Sequence, residues 1–405
     1  MGRSVTSLGL ALVAAAVGLF AATQAGCGAN DTKSAAVPAD TTSVQVAPPQ
    51  VRQPARPRPY TVPVDALLVS SSSELAAALA NGRREAIVLA PGVYDNPRPF
   101  TVRDGDRLYA ARLGRAVLKA GVVLGANAGP PGASIRGLTF NVTDPAKTLH
   151  GAIVHVWGSA VHASVLDTRV YGHGRIDAGL LVRQPRGFVA RRVVAEGFRS
   201  YGVLVDPNNV KYRTQVPFVL SDLTISRVRR PLRGSSNGRA EACLWLGSRG
   251  ITKRVSVRRC GISGIWTGTA THGSRVVDAT INRAAVGIYI EAYTTGTTFK
   301  RLRVGPDVYR GLNAEWADIA GGQKPASSDN VVEDGYFRTS RVGVYLDQGT
   351  ARTTVRRCVF VGQAWAAIGD YLGQGNTYYD NDFDAIGPQA VPVTHEHGSS
   401  AGSAQ

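Results

Sequence analysis

The chain has 405 residues, with 46 basic residues against 29 acidic ones and a formal net charge of +17, and only seven of the basic residues are lysine. That length holds two average domains or one elongated repeat domain. The positive surplus speaks to association and not to fold, either as an arginine-rich solvated surface or as attraction to an acidic polymer such as a uronate polysaccharide, teichoic acid or nucleic acid. Runs such as Arg191-Arg192 and Arg227-Val-Arg-Arg230 sit beside strand residues, and no helix-turn-helix or finger spacing appears, which argues against sequence-specific nucleic-acid recognition.

In chain order, Arg3 precedes an apolar run from Leu8 to Ala22, then Gln24-Ala-Gly-Cys27. The run is short for a membrane span and fits an export signal over residues 1–26. Ala-Gly-Cys resembles a bacterial lipobox, which implies lipidation of Cys27 as the sole membrane contact; plain cleavage after Ala25 is the alternative. Both place the protein outside the cytoplasm, secreted or lipid-anchored at the cell surface. Residues 27–60 are rich in Ala, Thr, Ser, Gln and Pro, which predicts a disordered tether. Residues 61–386 form the folded domain and 387–405 a disordered tail, where His395-Glu-His397 is a weak metal lure.

The domain opens with Ser72-Ser-Glu-Leu-Ala-Ala-Ala-Leu79, a short helix with serine caps and an apolar stripe at Leu75, Ala78 and Leu79. It suits a cap on the open end of a solenoid. After a strand at Ala86-Ile-Val-Leu89, five-residue strands of one design recur. They read Gly179-Leu-Leu-Val-Arg183, Gly202-Val-Leu-Val-Asp206, Cys243-Leu-Trp-Leu-Gly247, Gly264-Ile-Trp-Thr-Gly268, Gly287-Ile-Tyr-Ile-Glu291, Gly311-Leu-Asn-Ala-Glu315, Gly343-Val-Tyr-Leu-Asp347 and, more loosely, Ala366-Ala-Ile-Gly-Asp370. Their starts are 23, 41, 21, 23, 24, 32 and 23 residues apart. A period in the twenties marks an all-β solenoid with one such strand per coil, stacked in parallel.

The helix, then Ile87-x-Leu-x-x-Gly92-x-Tyr94, then repeated coils resemble the pectin-lyase-like right-handed parallel β-helix superfamily. Further strands before the landmark ones, such as Phe218–Ile225 and Arg275–Ile281, supply the two or three strands per coil that such a helix needs. The resemblance implies the fold with a short N-terminal capping helix. Its members range from pectate lyases, polygalacturonases and alginate epimerases to non-catalytic adhesins.

Strand parity places positions two and four inward and positions one, three and five outward. Position three then forms a column of Leu204, Trp245, Trp266, Tyr289, Asn313 and Tyr345. Its aromatics serve either as structural stacking or as a platform for sugar rings. Position five collects Asp206, Glu291, Glu315, Asp347 and Asp370. Stacked carboxylates repel unless a shared proton, a cation or arginines offset them, and a shared proton yields the acid and base of glycoside hydrolysis. In that reading Glu291, Glu315 and Asp347 are catalytic, with Glu315 the raised-pKa acid. Trp245, Trp266, Tyr289, Tyr345, Asp206 and Asp370 bind substrate, and no cofactor is needed. Two alternatives stand beside it. One is a lyase on a uronate polymer, with Ca²⁺ held by the same three acids and Arg341 or Arg183 aiding proton removal. The other is a non-catalytic glycan-binding β-helix. His155, His162, His173 and His272 lack ligand spacing and read as solvated or hydrogen-bonded imidazoles. Cys243, Cys260 and Cys358 read as small buried hydrophobes, with a Cys243–Cys260 bridge left open.

Overall fold

The structure is a computed structural model that describes residues 49–396 except 82, 126–131, 158–159, 184–185, 207–216, 230–241, 248, 269–270, 292, 315–326, 348 and 372. The export segment, Cys27 and Glu315 lie outside the described residues. The repeat folds as a right-handed parallel β-helix. Among the described residues, twelve parallel strands, from Phe100–Val102 to Val391–Glu396, form one sheet, which is called the site sheet below. A twenty-strand sheet closes the rest of the coil. It contains two ladders of short strands that merge, between Val189–Glu196 and Thr298–Val304, into long strands bent once in the middle.

The interior is built from the predicted alternation. Leu180, Val182, Val203, Val205, Leu244, Ile265, Ile288, Leu312 and Val344 stand at positions two and four, fully buried. Facing rings stack coil upon coil, with Phe337 and Phe360 centroids 5.4 Å apart and Phe360 and Phe383 5.5 Å apart. The helix spans Ser72–Ala80. Ser71 accepts from the Glu74 N–H, Glu74 accepts from the Ser70 N–H, and Leu75, Ala78 and Leu79 enter the core.

Position one corrects the parity expectation, because it faces inward. A Cβ at Gly343 would lie 2.2 Å from Phe360 Cδ1, and one at Gly202 would lie 2.1 Å from Ile225 Cγ2. The glycines clear room for large core residues of the opposite wall. Cys243 takes the same place in its coil and is disulfide-bonded to Cys260, with Cα atoms 5.4 Å apart, so the open alternative for that pair is the one formed. Cys358 is a free, buried thiol.

The bends carry a feature absent from the sequence reading. Gly137, Asp167, Arg192, Asp222, Arg254, Asp278, Arg301, Asp334, Arg357 and Asp380 occupy matching places on successive coils, all with φ between 51° and 76°. After the glycine, acid and arginine alternate. Arg192 pairs with Asp167, Arg254 with Asp222 at 2.6 Å, Arg301 with Asp278 at 2.7 Å and Arg357 with Asp334 at 2.7 Å. Asp167 is wholly buried and accepts from Arg192, from Arg136 Nε at 2.9 Å and from the Arg58 N–H at 3.1 Å. Burial pushes its carboxyl up, while Arg192, the Arg58 N–H and Arg136 together hold it below the usual carboxylate range.

The Arg58 bond shows that part of the expected tether is ordered. Residues 49–60 lie against this corner. The Arg58, Ala55 and Arg52 N–H groups donate to Asp167, Asp222 and Asp278 at 3.1, 3.0 and 3.5 Å. Three residues of polyproline II advance about 9.3 Å, and two coils advance about 9.6 Å. The strap therefore meets every second rung, each time an aspartate. Val51, Pro54, Pro57 and Tyr60 are half-buried at the same three-residue period, and no proline stands at the donor positions. The expected disordered tail is likewise ordered in part, since Val391–Glu396 pairs with Ala366–Tyr371 as the last strand of the site sheet. Both segments are too polar to fold alone, and the finished coil supplies their hydrogen-bond partners.

Candidate functional site

On the outer face of the site sheet the predicted column exists. Register runs Val123–His155–Leu181–Leu204–Trp245–Trp266–Tyr289–Asn313–Tyr345–Gly369 on successive coils. Tyr201, one place before position one, also faces outward and meets Trp245 at 5.4 Å between centroids. Trp245 lies 5.6 Å from Trp266, and Trp266 lies 4.3 Å from Tyr289. Tyr201 is buried, 6% exposed, between Ala178 and Ala242 of the adjoining coils, and Trp245, Trp266 and Tyr289 are half-buried. Gly268, at position five, has no side chain where the Trp245 indole lies, and a Cβ there would meet Nε1 at 2.1 Å. The result is a continuous four-ring row on a rigid sheet.

Glu291 stands at its edge. Its Oε2 accepts from Trp266 Nε1–H at 3.1 Å, which joins the ring row to a carboxylate. The Glu291 backbone continues the ladder through its N–H to the Thr267 carbonyl at 3.0 Å, and its own carbonyl accepts from the Thr294 N–H. Asp347 is held the same way, its N–H donating to the Ala314 carbonyl at 2.8 Å and its carbonyl accepting from Thr350 Oγ1–H at 3.0 Å. One coil separates the two acids, a step of about 9.6 Å along the axis. Glu315, next in sequence to Ala314 at the end of the intervening strand, lies outside the described residues. Asp206 is in register with Arg183, three coils before Glu291, and so is not part of the cluster. Among the described residues no group of three metal-ligating side chains converges.

Asp370 corrects the sequence reading. Ile368 pairs with Val344 and Asp370 with Leu346, so the last landmark strand is out of phase by one residue. A one-residue slip exchanges faces. Asp370 therefore points inward, 6% exposed, bonded to Tyr378 Oη, the Gly373 N–H and Asn376 Nδ2. Its role is to organise the final turn.

Towards the C-terminal end of the face the chemistry changes. Arg310 donates to Asn313 Oδ1 at 2.9 Å and lies 4.9 Å above the Tyr345 ring, which also meets Trp365 at 5.9 Å. Arg341 lies 5.7 Å from the Trp365 ring. Towards the N-terminal end, His155 occupies the same column as the tryptophans and is fully buried, not solvated. Neither ring nitrogen has a hydrogen-bond partner. It packs 5.1 Å from both His150 and Trp157. Burial first, then His150 and Arg183, push its pKa down to about 4, so the ring is neutral at ordinary pH. Its place at position three on an earlier coil was legible from the period; the looser Ala152-Ile-Val-His-Val156 strand hid it.

No protein-family model and no curated protein sequence matches the chain. Solved structures do match in fold. The catalytic unit of the thermostable GH87 alpha-1,3-glucanase from Streptomyces thermodiastaticus strain HF3-3 superposes with a TM-score of 0.54 at 15% identity, over 83% of this chain and 71% of that one. The catalytic domain of a GH87 alpha-1,3-glucanase in complex with tetrasaccharides gives 0.50 at 14% identity, over 84% and 69%. The fold is thus that of the right-handed parallel β-helices.

Proposed function

We propose that the chain is a polysaccharide-acting enzyme that binds a glycan along the ring row of Tyr201, Trp245, Trp266 and Tyr289 and hydrolyses it beside Glu291 and Asp347. The observation that carries this reading is the Trp266–Glu291 hydrogen bond, because it places an oriented carboxylate against a sugar-sized aromatic surface. A two-coil step of about 9.6 Å lies just beyond the roughly 6.5–9.5 Å range of inverting glycosidases, and side chains leaning towards each other would bring the carboxyl groups within it, with room for a water between them. Glu315, which follows Ala314 in sequence, completes the acidic set in this proposal. Tyr345 extends the row towards the C-terminal end. The glucanases that share the fold act on a polysaccharide, which supports the substrate class. The reading needs no cofactor, and it places the protein outside the cytoplasm with its substrate.

The test is incubation of the full chain with neutral and acidic glycans, following new reducing ends and ultraviolet absorbance from unsaturated products. Reducing ends without absorbance are expected. Absorbance that a chelator suppresses would instead assign a cation-dependent lyase, and retention on a glycan with neither signal would assign a binding protein.

A further inference from the structure

A second feature lies off the ring row, at the corner where the chain passes from the twenty-strand sheet into the site sheet. Arg227, Arg259 and Arg283 follow matched strand ends on three consecutive coils, all with φ near 57°. Backbone bonds from the Arg227 N–H to the Arg258 carbonyl and from the Arg259 N–H to the Asn282 carbonyl, both 3.1 Å, hold them in line. Three like charges about 4.8 Å apart repel one another. Glu196 offsets Arg227 at 2.7 Å and Asp307 offsets Arg283 at 2.9 Å. Among the described residues Arg259 has no carboxylate, and neither has Arg229, whose guanidinium lies against the bare backbone of Gly174. At the bent corner, by contrast, each arginine of the ladder meets an aspartate.

The arginines line a cavity of about 670 Å³ together with Tyr171 and His173, a volume in the range of ligand sites. Its floor includes Cys260, fixed to the neighbouring strand by the disulfide to Cys243. Guanidinium groups bind carboxylates and phosphates through paired N–H bonds. Repetition from coil to coil suits a ligand with repeated anionic groups and not a single ion.

We propose that this corner binds the anionic groups of a linear acidic glycopolymer, carboxylate or phosphodiester, lying along the coil axis beside the ring row. The inference rests on the glycan reading above and is tested by binding, independently of turnover. The full chain is titrated with oligogalacturonate, with a glycerol-phosphate teichoic acid and with a neutral alpha-1,3-glucan oligosaccharide, at low and at physiological salt. The double variant Arg229→Gln/Arg259→Gln is compared with Arg107→Gln/Arg338→Gln, which removes the same charge from exposed places elsewhere. At least one anionic probe is expected to bind, and the probe bound identifies the anion. The corner variant weakens that binding at least tenfold, and the control variant less than twofold. Failure of both anionic probes, or equal loss in the two variants, overturns the inference. Cleavage of the neutral glucan alongside such a failure leaves the hydrolase reading standing. Corner-dependent binding without turnover of any glycan supports the site and removes the hydrolase reading.

Discussion

The bent corner and the outer face of the site sheet both stack side chains at one coil spacing, but with different chemistry. At the corner the sign alternates from rung to rung, so each charge is neutralised by its neighbours, and Asp167 and Asp222 are almost wholly buried. On the outer face Glu291 and Asp347 share one sign and remain partly exposed. The difference separates structural repetition from chemical repetition. A ladder that closes its own accounts stabilises the coil, whereas one that repeats a sign is suited to a ligand or a proton.

Substitutions can break that contrast. The largest effect is expected on the face, where Glu291→Gln or Asp347→Asn lowers turnover by about 10²–10⁴-fold with the melting temperature unchanged. Unaltered rates in both variants would remove the catalytic assignment. At the corner the effect moves to stability. Arg192→Ala leaves Asp167 buried without its principal partner and costs about 3–5 kcal/mol in urea unfolding, with little change in turnover per folded molecule. Ala55→Pro keeps the strap conformation but deletes the N–H that reaches Asp222, costing about 1–3 kcal/mol; Arg56→Pro, one place away, is expected within about 0.5 kcal/mol of the parent. Equal losses from the two prolines would show that the strap is not read by its N–H register. Trp266→Phe keeps a ring but loses the donor to Glu291, and a hydrogen bond of about 1 kcal/mol predicts a fivefold to tenfold loss of turnover with glycan affinity largely kept.

The smallest effect at neutral pH belongs to His155. Its folded pKa of about 4 lies below its ordinary value of 6.5, so the unfolded chain takes up the proton first. The stability contributed by the neutral ring is complete above pH 6.5 and is lost as pH falls towards 4. Unfolding free energies measured across that window are expected to fall less steeply in His155→Phe than in the parent.

Much of the architecture was legible because period and parity are properties of short segments. Trp245, Trp266 and Tyr289 were placed in one column from spacing alone, and the register agrees. Asp370 was misplaced because Ala366-Ala-Ile-Gly-Asp370 offers two apolar phases, and only pairing with Val344 chooses between them. Position one was misread for a related reason: glycine gives no apolar signal, so its inward direction becomes visible only against Phe360 or Ile225. The alternating ladder is present in the sequence as isolated Asp and Arg residues before strand halves, but it adds nothing to the hydrophobic period, and its meaning needs both neighbouring coils at once. The strap was hidden more deeply. Its composition is that of a disordered segment, and its order comes entirely from rungs more than a hundred residues away.

That last distance has a temporal side. The strap is made before any rung it uses, and ribosomes deliver a chain from its N-terminus. Its three donors find their acceptors only after Asp167, Asp222 and Asp278 have been synthesised and stacked. Seating of this leading arm therefore reports that the first two-thirds of the coil has been laid down correctly.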